Sequence, residues 1–410
     1  MRKPGEGNYG YGHKDFVPII LGTDMNAYGM ARAFHEAYGI KSLVIGIGSL
    51  HDTAHSKIIH RKVMPDFDTP KVFTKTLIDL AKKHLPRPTI VISCKDEYSL
   101  LLIKNKKLLS KHMIVPYIDE PLMKKLWYKA DFYKMCEKHG VPCPKTTVVN
   151  KHDYKTLRVN VDFPRIIKPS NSATYLKLDF LGKKKVFTAQ TWAGYDTILR
   201  NVYAVYDEPM IVQEVIPGDY SNERSVHAYV GRDHKVKFVV TGEALAGDTH
   251  PHFIGNHLGI LVKPDEELTA IVKKFLESVN YVGMANLDFK YDSRDGKIKA
   301  FEVNIRQGRS SYYVMAAGFN IAQYYINDWV YHRKSTYAPA TKTVLWLPAP
   351  FYVLRRSVSP ATKKQIDKLR KSKTYASTLK YLSDYGPSRR FSFFRNQARY
   401  LINFLRYPQQ

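Results

Sequence analysis

The sequence predicts an α/β amino-terminal domain, an α+β domain after it, and a basic carboxyl-terminal extension. Over residues 16–120, short apolar segments alternate with helical stretches, the pattern of a parallel sheet with helical crossovers. Further on, two segments of alternating polarity meet at Asp292-Ser-Arg-Asp-Gly296. They read as a hairpin whose Gly296 takes the positive φ that other residues resist. Charge is also uneven. Of a formal net +27, +12 falls between Phe351 and the end, where fourteen Lys and Arg face only Asp367 and Asp384. The expected divisions are a flexible arm over 1–15, the α/β domain over 16–120, the α+β domain over 121–333 and the basic extension over 334–410.

A chain of 410 residues with 44% apolar and 13% aromatic residues is large enough for two or three domains with real cores. Cys94, Cys136 and Cys143 are too few and too irregular for a disulfide framework or a zinc site, and they suit a reducing cytoplasm. The opening MRKPGEGNYGYGHKD lacks the apolar segment of a signal peptide. Val344–Leu354, the longest apolar run, contains Pro348 and Pro350 and is too short to span a bilayer. A soluble or membrane-peripheral protein is expected. The positive excess calls for an anionic partner: nucleic acid, an anionic membrane or anionic substrates.

In chain order, Phe16–Leu21, Ser42–Ile47 and Thr89–Ile92 read as strands, with helices ending at Tyr38 and covering Phe73–His84. Ligands bind beyond the carboxyl ends of parallel strands, so Thr23, Asp24 and Asn26 are candidate substrate contacts; a plain structural turn is the competing reading. The loop has no GxGxxG, which argues against a dinucleotide. Leu126–Gly140 reads as a helix with a glycine stop. Strands are expected up to Val149, up to Lys168 and over Met210–Ile216, Val226–Val230 and Lys237–Gly242. Helices are expected near Thr191–Tyr206, over Asp265–Asn280, where Leu268, Val272, Phe275 and Val279 keep helical spacing, and over Asn320–His332. In the tail, Phe394, Ala398, Leu401 and Leu405 form one helical stripe with Arg395, Arg399 and Arg406 largely off it. Such a helix can lie on an anionic membrane or dock on the domain with its arginines in water.

The hairpin holds the candidate chemistry. A register pairing Tyr291 with Lys297 puts Asn286, Asp288 and Lys290 on one face with Ala300, Glu302 and Asn304. Leu287, Phe289, Phe301, Val303 and Ile305 then point to the core. Asp288 and Glu302 become diagonal neighbours, roughly 7–8 Å apart. Two carboxylates and an amide oxygen at that spacing can share Mg²⁺, and Arg306 and Arg309 follow where they could meet phosphate. A solvated amphipathic hairpin accounts for the same alternation. Lys129 begins a helix, and Lys168 ends an apolar strand before Pro169; each can hold a point charge against phosphate. His250, His252 and His257 form the sort of accidental cluster that fifteen histidines allow. No phosphate loop GxxxxGK[ST], GxSxG elbow or HExxH helix is present, which sets those chemistries aside.

The ordered set is more specific than its members. A lysine helix, VPCPKT, a strand ending Ile-Lys-Pro, IVQEVIPG, and a hairpin with Asp288 and Glu302-Val-Asn-Ile-Arg306 together resemble the ATP-grasp ligases over about residues 120–333. The resemblance implies a Rossmann-like amino-terminal domain followed by an ATP-grasp fold, with ATP and Mg²⁺ as cofactors. It implies that Lys129 and Lys168 contact ATP phosphates, that Gln213, Glu214, Val215 and Ile216 form the adenine hinge, and that Glu223 meets the ribose. Asp288, Glu302 and Asn304 would hold Mg²⁺, and Arg306 would stabilise an acyl phosphate or a substrate carboxylate. The loop after Lys168 is usually glycine-rich in that family; here it reads Ser170-Asn-Ser-Ala-Thr-Tyr175, with Ser170 the candidate phosphate contact. Through LGTDMNAYGMARAFHEAYG, KPSNSATYLKLDFLGKKKVF and EVNIRQGRSSYYVMAAGFN, the chain is most similar to the D-aspartate ligases of Gram-positive bacteria. These join the β-carboxylate of D-aspartate to the lysine side-chain amine of a peptidoglycan precursor. The implied partners are an amino acid and a UDP-linked muropeptide, with no nucleic acid. Another ATP-grasp amino-acid or dipeptide ligase would keep the ATP residues and change the acceptor pocket. A non-catalytic nucleic-acid-binding protein would explain the charge but not the carboxylate pair.

Overall fold

The structure, a computed structural model of the chain, describes residues 15–407 apart from 176, 249, 251, 252 and 254. The expected arm, Asp15 excepted, and His252 lie outside the described residues. Two compact units divide the chain: Met1–Glu120, Arg224–Asn286 and Asn304–Gln410 form the first, and Pro121–Glu223 with Leu287–Val303 the second.

The first unit opens with a parallel sheet in the order Ile59–Val63, Ser42–Gly46, Val17–Leu21 and Thr89–Ser93. Ile20 sits opposite both Val44 and Ile92, so the central strand is apolar because both neighbours are. Helix Met25–Tyr38 starts where the Asp24 carboxylate accepts from the Ala27 N–H, and stops at Gly39 in the left-handed conformation. Helix Pro70–Lys83 starts earlier than Phe73, because proline fits the first turn. A second sheet pairs the start of Gly283–Asp292 with Glu223–Val230 and continues through Val236–Gly247, His257–Val262, Val344–Trp346 and Tyr375–Ala376. One core joins the two sheets, with Ile20, Tyr28, Phe34 and Ile92 packed in the same cluster as Tyr229, Phe238 and Tyr325.

In the second unit, an antiparallel sheet runs Thr146–Val149, Met210–Glu214, Arg165–Pro169 and Phe187–Ala189. Helix Trp192–Tyr203 covers it, burying Leu199, Val202 and Tyr203 against Val149, Ile167 and Val212. The expected helix over Leu126–Gly140 is two helices, Glu120–Trp127 and Lys129–His139. The break has a local cause: the Lys129 N–H donates to the Ser170 carbonyl and the Ala130 N–H to Ser170 Oγ. The hairpin Gly283–Asp292/Lys297–Asn304 carries the chain from the first unit into the second and back, and its turn closes where the Gly296 N–H donates to Asp292.

The basic tail belongs to the first unit. No helix among the described residues is long and apolar enough to cross a membrane. Helix Pro387–Arg406 buries Arg389, Ser392, Asn396, Tyr400 and Asn403, the reverse of the apolar face that a docked helix usually buries. Asp384, fully buried just before it, accepts from the Tyr28 and Ser56 hydroxyls at 2.8 Å and lies 3.5 Å from Arg389 Nε. Arg389 also donates to the carbonyls of His51 and Ala54 and stacks 4.0 Å over the Tyr28 ring. Removing one member of a buried ion pair strands the other charge. Asp384→Ala is therefore expected to lower the unfolding free energy by about 3–5 kcal/mol, measured by denaturant titration; an unchanged midpoint would contradict the anchoring role.

Candidate active site

In the second unit the two predicted lysines converge on one carboxylate. Lys129 Nζ lies 3.4 Å from Glu302 Oε2. Its ammonium, with those of Lys185 and Lys168, holds the Glu302 carboxyl down at about 2, so Glu302 is an anion at any physiological pH. Lys168 donates to the Tyr133 hydroxyl at 2.9 Å, and that hydroxyl donates to the Phe301 carbonyl at 2.8 Å. The ammonium also faces the Tyr133 and Phe301 rings at 5.4 and 5.6 Å, within cation–π range. Burial pulls Lys168 down to about 8, against the opposing pull of Glu302. Tyr133 thus ties the strand bearing Lys168 to the strand bearing Glu302. Sequence reasoning missed it, because a tyrosine two residues after an aspartate in a helix carries no signal of its own.

Ser170 takes a different role from the expected phosphate contact. It is 4% exposed, and its Oγ and carbonyl receive the first two N–H groups of helix Lys129–His139. It positions Lys129. Along the hinge strand, Gln213 is buried and donates to Thr146 Oγ1 at 2.8 Å. Glu214 is held by the hairpin turn, with Arg294 at 2.7 Å and Lys299 at 3.2 Å, and accepts from the Lys145 N–H. Arg294 and Lys299 also grip Asp292, which is fully buried. The side chains of Gln213 and Glu214 are therefore engaged within the protein. Any adenine contact along Gln213–Ile216 would come from backbone groups and from apolar Val215 and Ile216. Glu223 opens the next strand, partly buried.

The first unit holds a buried polar network under Asn304. Asn304 Nδ2 donates to Asn286 Oδ1 at 3.2 Å, and Asn286 Nδ2 reaches Ser225 Oγ and the Val226 carbonyl. His227 is fully buried and pushed down to about 3 by burial, with Arg306 adding to the shift, so it stays neutral. Its Nε2 accepts from the Gly308 N–H at 2.9 Å. That fixes the proton on Nδ1, which donates to the Tyr313 hydroxyl at 2.7 Å; Tyr313 in turn donates to the Ser225 carbonyl at 2.7 Å. Gly308 has no room for a side chain, since a Cβ would fall 2.5 Å from Asn286 Oδ1 and 3.0 Å from His227 Nε2. The network fixes which end of the Asn304 amide is nitrogen, and so where its oxygen points.

Arg306 donates to Asp96 Oδ2 at 2.7 Å and to the Gln307 carbonyl at 3.0 Å, while its Nε is buried without a partner. Arg309 donates to the Tyr400 hydroxyl at 2.6 Å, and both arginines feel Asp24. Thr23 and Asn26, the expected substrate contacts, are engaged within the protein. Both are buried; the Thr23 carbonyl accepts from Thr53, and Asn26 donates to the Cys94 and Gln307 carbonyls while accepting from Ser311. Asp24 caps the Met25 helix and remains partly exposed.

Asp288, Glu302 and Asn304 offer hard oxygen donors, and Glu302 and Asn304, two apart on one strand, share a face. The ionised Glu302 carboxylate is the kind of hard oxygen donor that suits a divalent cation such as Mg²⁺. Among the described residues, no group of three His, Cys, Asp or Glu has metal-binding geometry, so the histidine cluster around His250 has no such arrangement there. The His250 ring instead packs against Phe253 and Tyr407.

No family model matches the chain. A curated relative, the D-aspartate ligase of Enterococcus faecium (strain Aus0004), is 39% identical over 386 residues, covering 91% of this chain and 92% of the relative. The chain belongs to the D-aspartate ligase family. Solved structures share its fold, which is the ATP-grasp fold. An ADP complex of N5-carboxyaminoimidazole ribonucleotide synthetase superposes with a TM-score of 0.59 at 18% identity, covering 81% of this chain and 80% of the other. An L-amino acid ligase from Bacillus licheniformis gives 0.55 at 17% identity over 77% and 75%. The biotin carboxylase domain of Hydrogenobacter thermophilus 2-oxoglutarate carboxylase, in complex with MgADP, gives 0.57 at 15% identity over 79% and 72%.

For this D-aspartate ligase relative, the buried lysine gives a direct test of the geometry. Lys168 is protonated below about pH 8 and loses its charge above it, so any hold on an anion through it weakens as pH rises through that value. A ¹³Cε-lysine NMR titration is expected to show Lys168 titrating near 8, while exposed lysines titrate near the ordinary value of about 10.4. A Lys168 midpoint among the exposed lysines would contradict the burial.

Proposed function

We propose that the protein activates the β-carboxylate of D-aspartate with ATP and joins it to the lysine side-chain amine of a UDP-linked peptidoglycan precursor, in the cytoplasm. The observation that carries this reading is the charge cluster of Lys129, Lys168 and Glu302 in a chain 39% identical to a D-aspartate ligase. Lys129 and Lys168 bind ATP phosphates. The backbone of Gln213–Ile216 receives adenine and Glu223 the ribose. Asp288, Glu302 and Asn304 hold Mg²⁺, which when bound neutralises charge on the phosphate oxygens. Ser170 acts one step back, by fixing the start of the Lys129 helix.

The chemistry is stepwise. A carboxylate oxygen of D-aspartate attacks the γ-phosphorus, the bond to the β,γ-bridging oxygen breaks, and ADP leaves. Lys129 and Lys168 oppose the negative charge on the phosphate oxygens as the bond changes partners. The neutral amine then attacks the acyl carbon of the acyl phosphate. Phosphate departs with the former carboxylate oxygen, and the new amide nitrogen releases a proton. Arg306, held by Asp96 and cationic throughout, stabilises the acyl phosphate. Positioning and charge stabilisation carry the reaction, and no side-chain nucleophile is needed.

Phosphate release is expected to require ATP, Mg²⁺, D-aspartate and a lysine-containing UDP-muropeptide together. Glu302→Ala and Asn304→Ala are each expected to lower kcat by about a hundredfold or more while the far-ultraviolet circular-dichroism spectrum remains that of the folded protein. Wild-type turnover in either variant would remove the metal assignment. Turnover with another carboxylate–amine pair, and none with D-aspartate, would sink the substrate assignment and favour a different amino-acid ligase.

A further inference from the structure

The helix Pro387–Arg406 faces the protein with its polar side and solvent with its apolar side. Phe391, Phe394, Ala398, Leu401, Ile402 and Leu405 fall at helical spacing on one stripe. Phe391 and Leu405 are each 69% exposed and Phe394 is 59% exposed. The opposite face is what the domain holds. Arg389 is clasped beside Asp384, Asn396 donates to Asp52 at 2.9 Å, and Tyr400 accepts from Arg309 at 2.6 Å. The inversion follows from these partners. Docking by the polar face satisfies buried charges, and it leaves the apolar stripe in water, where contiguous apolar surface of this kind marks an interaction site.

The charge around the stripe selects what covers it. Arg390, Arg395 and Arg406 are exposed on the same helix, and the helix has no Asp or Glu. From Phe351 to the end the chain carries a net +12. A second copy laid on this stripe would set arginines against arginines. An anionic bilayer surface meets both features at once, with phosphates for the guanidinium groups and acyl chains for the phenylalanine and leucine side chains. Twenty residues of helix give about 30 Å of contact. We propose that this helix is a peripheral anchor that lies along an anionic phospholipid surface, apolar stripe inward, while its polar face keeps hold of the domain.

The test is co-sedimentation of the full chain with phosphatidylcholine vesicles, alone or mixed one to one with phosphatidylglycerol. The wild type is compared with a Phe391→Ser/Phe394→Ser/Leu405→Ser variant and with an Arg390→Gln/Arg395→Gln/Arg406→Gln variant. None of the six side chains is buried, so both variants keep their packing, checked by circular dichroism, and light scattering on each protein reports its oligomeric state. The wild type is expected to partition onto the mixed vesicles and much less onto phosphatidylcholine. The serine variant should lose partition at least about tenfold. The glutamine variant should lose roughly fivefold per arginine on the mixed vesicles, with little change on phosphatidylcholine. Wild-type protein left in the supernatant would overturn the proposal, as would undiminished sedimentation of the serine variant. A wild-type dimer that the serine changes dissociate, without vesicle binding, would give the stripe to a second copy instead.

Discussion

The Lys129–Glu302 ion pair is the constraint on which the second unit of the chain depends. One carboxylate faces three lysines, Lys129, Lys168 and Lys185, and an anion among them offsets their mutual repulsion. Glu302 supplies that anion in the protein itself, and in the proposed reaction the polyphosphate takes the same part. Several otherwise arbitrary features follow. Lys129 must start its helix at one place, and Ser170 fixes it there with two acceptors. Lys168 is partly buried, and the Tyr133 hydroxyl between it and the Phe301 carbonyl gives its ammonium a hydrogen-bond partner there.

A second constraint is rigidity around Asn304. Three consecutive hydrogen bonds, from Gly308 through His227 and Tyr313 to Ser225, lie in a buried site. Burial keeps His227 neutral, so its two ring nitrogens stay distinct as donor and acceptor. Asn286, held by Ser225 and Val226, orients Asn304. A side chain held this way needs little reordering in the metal-binding part proposed for it, the condition that favours tight and selective binding.

Much of this was legible in the sequence because it is periodic or local. Alternation along the hairpin put Leu287, Phe289, Phe301, Val303 and Ile305 on the core face, and all of them are buried except Phe301, which is partly buried. Gly296 has the expected positive φ, as does Gly140 at the helix stop. Lys129 and Lys168 were visible as a pattern of order and only then as individual residues. What escaped was pairing at long range. Nothing near Arg306 announces Asp96, 210 positions away, and nothing near Gly308 announces His227. The Thr23–Asn26 turn looked like a binding loop because it ends a parallel strand, yet Asn26 is occupied by carbonyls of Cys94 and Gln307. In the tail, the helical stripe was correctly placed, but its direction depends on buried Asp384 and partly buried Asp52, acidic partners that periodicity does not encode.

In the proposed reaction the carboxylate of aspartate, and no group of the protein, attacks the γ-phosphate. Transfer of oxygen tests it most directly. D-Aspartate labelled with ¹⁸O in its β-carboxylate would be turned over with unlabelled ATP, Mg²⁺ and the acceptor amine, and the released phosphate analysed by mass spectrometry. An acyl phosphate requires one ¹⁸O in each phosphate. Phosphate without the label, alongside amide product, would contradict the mechanism.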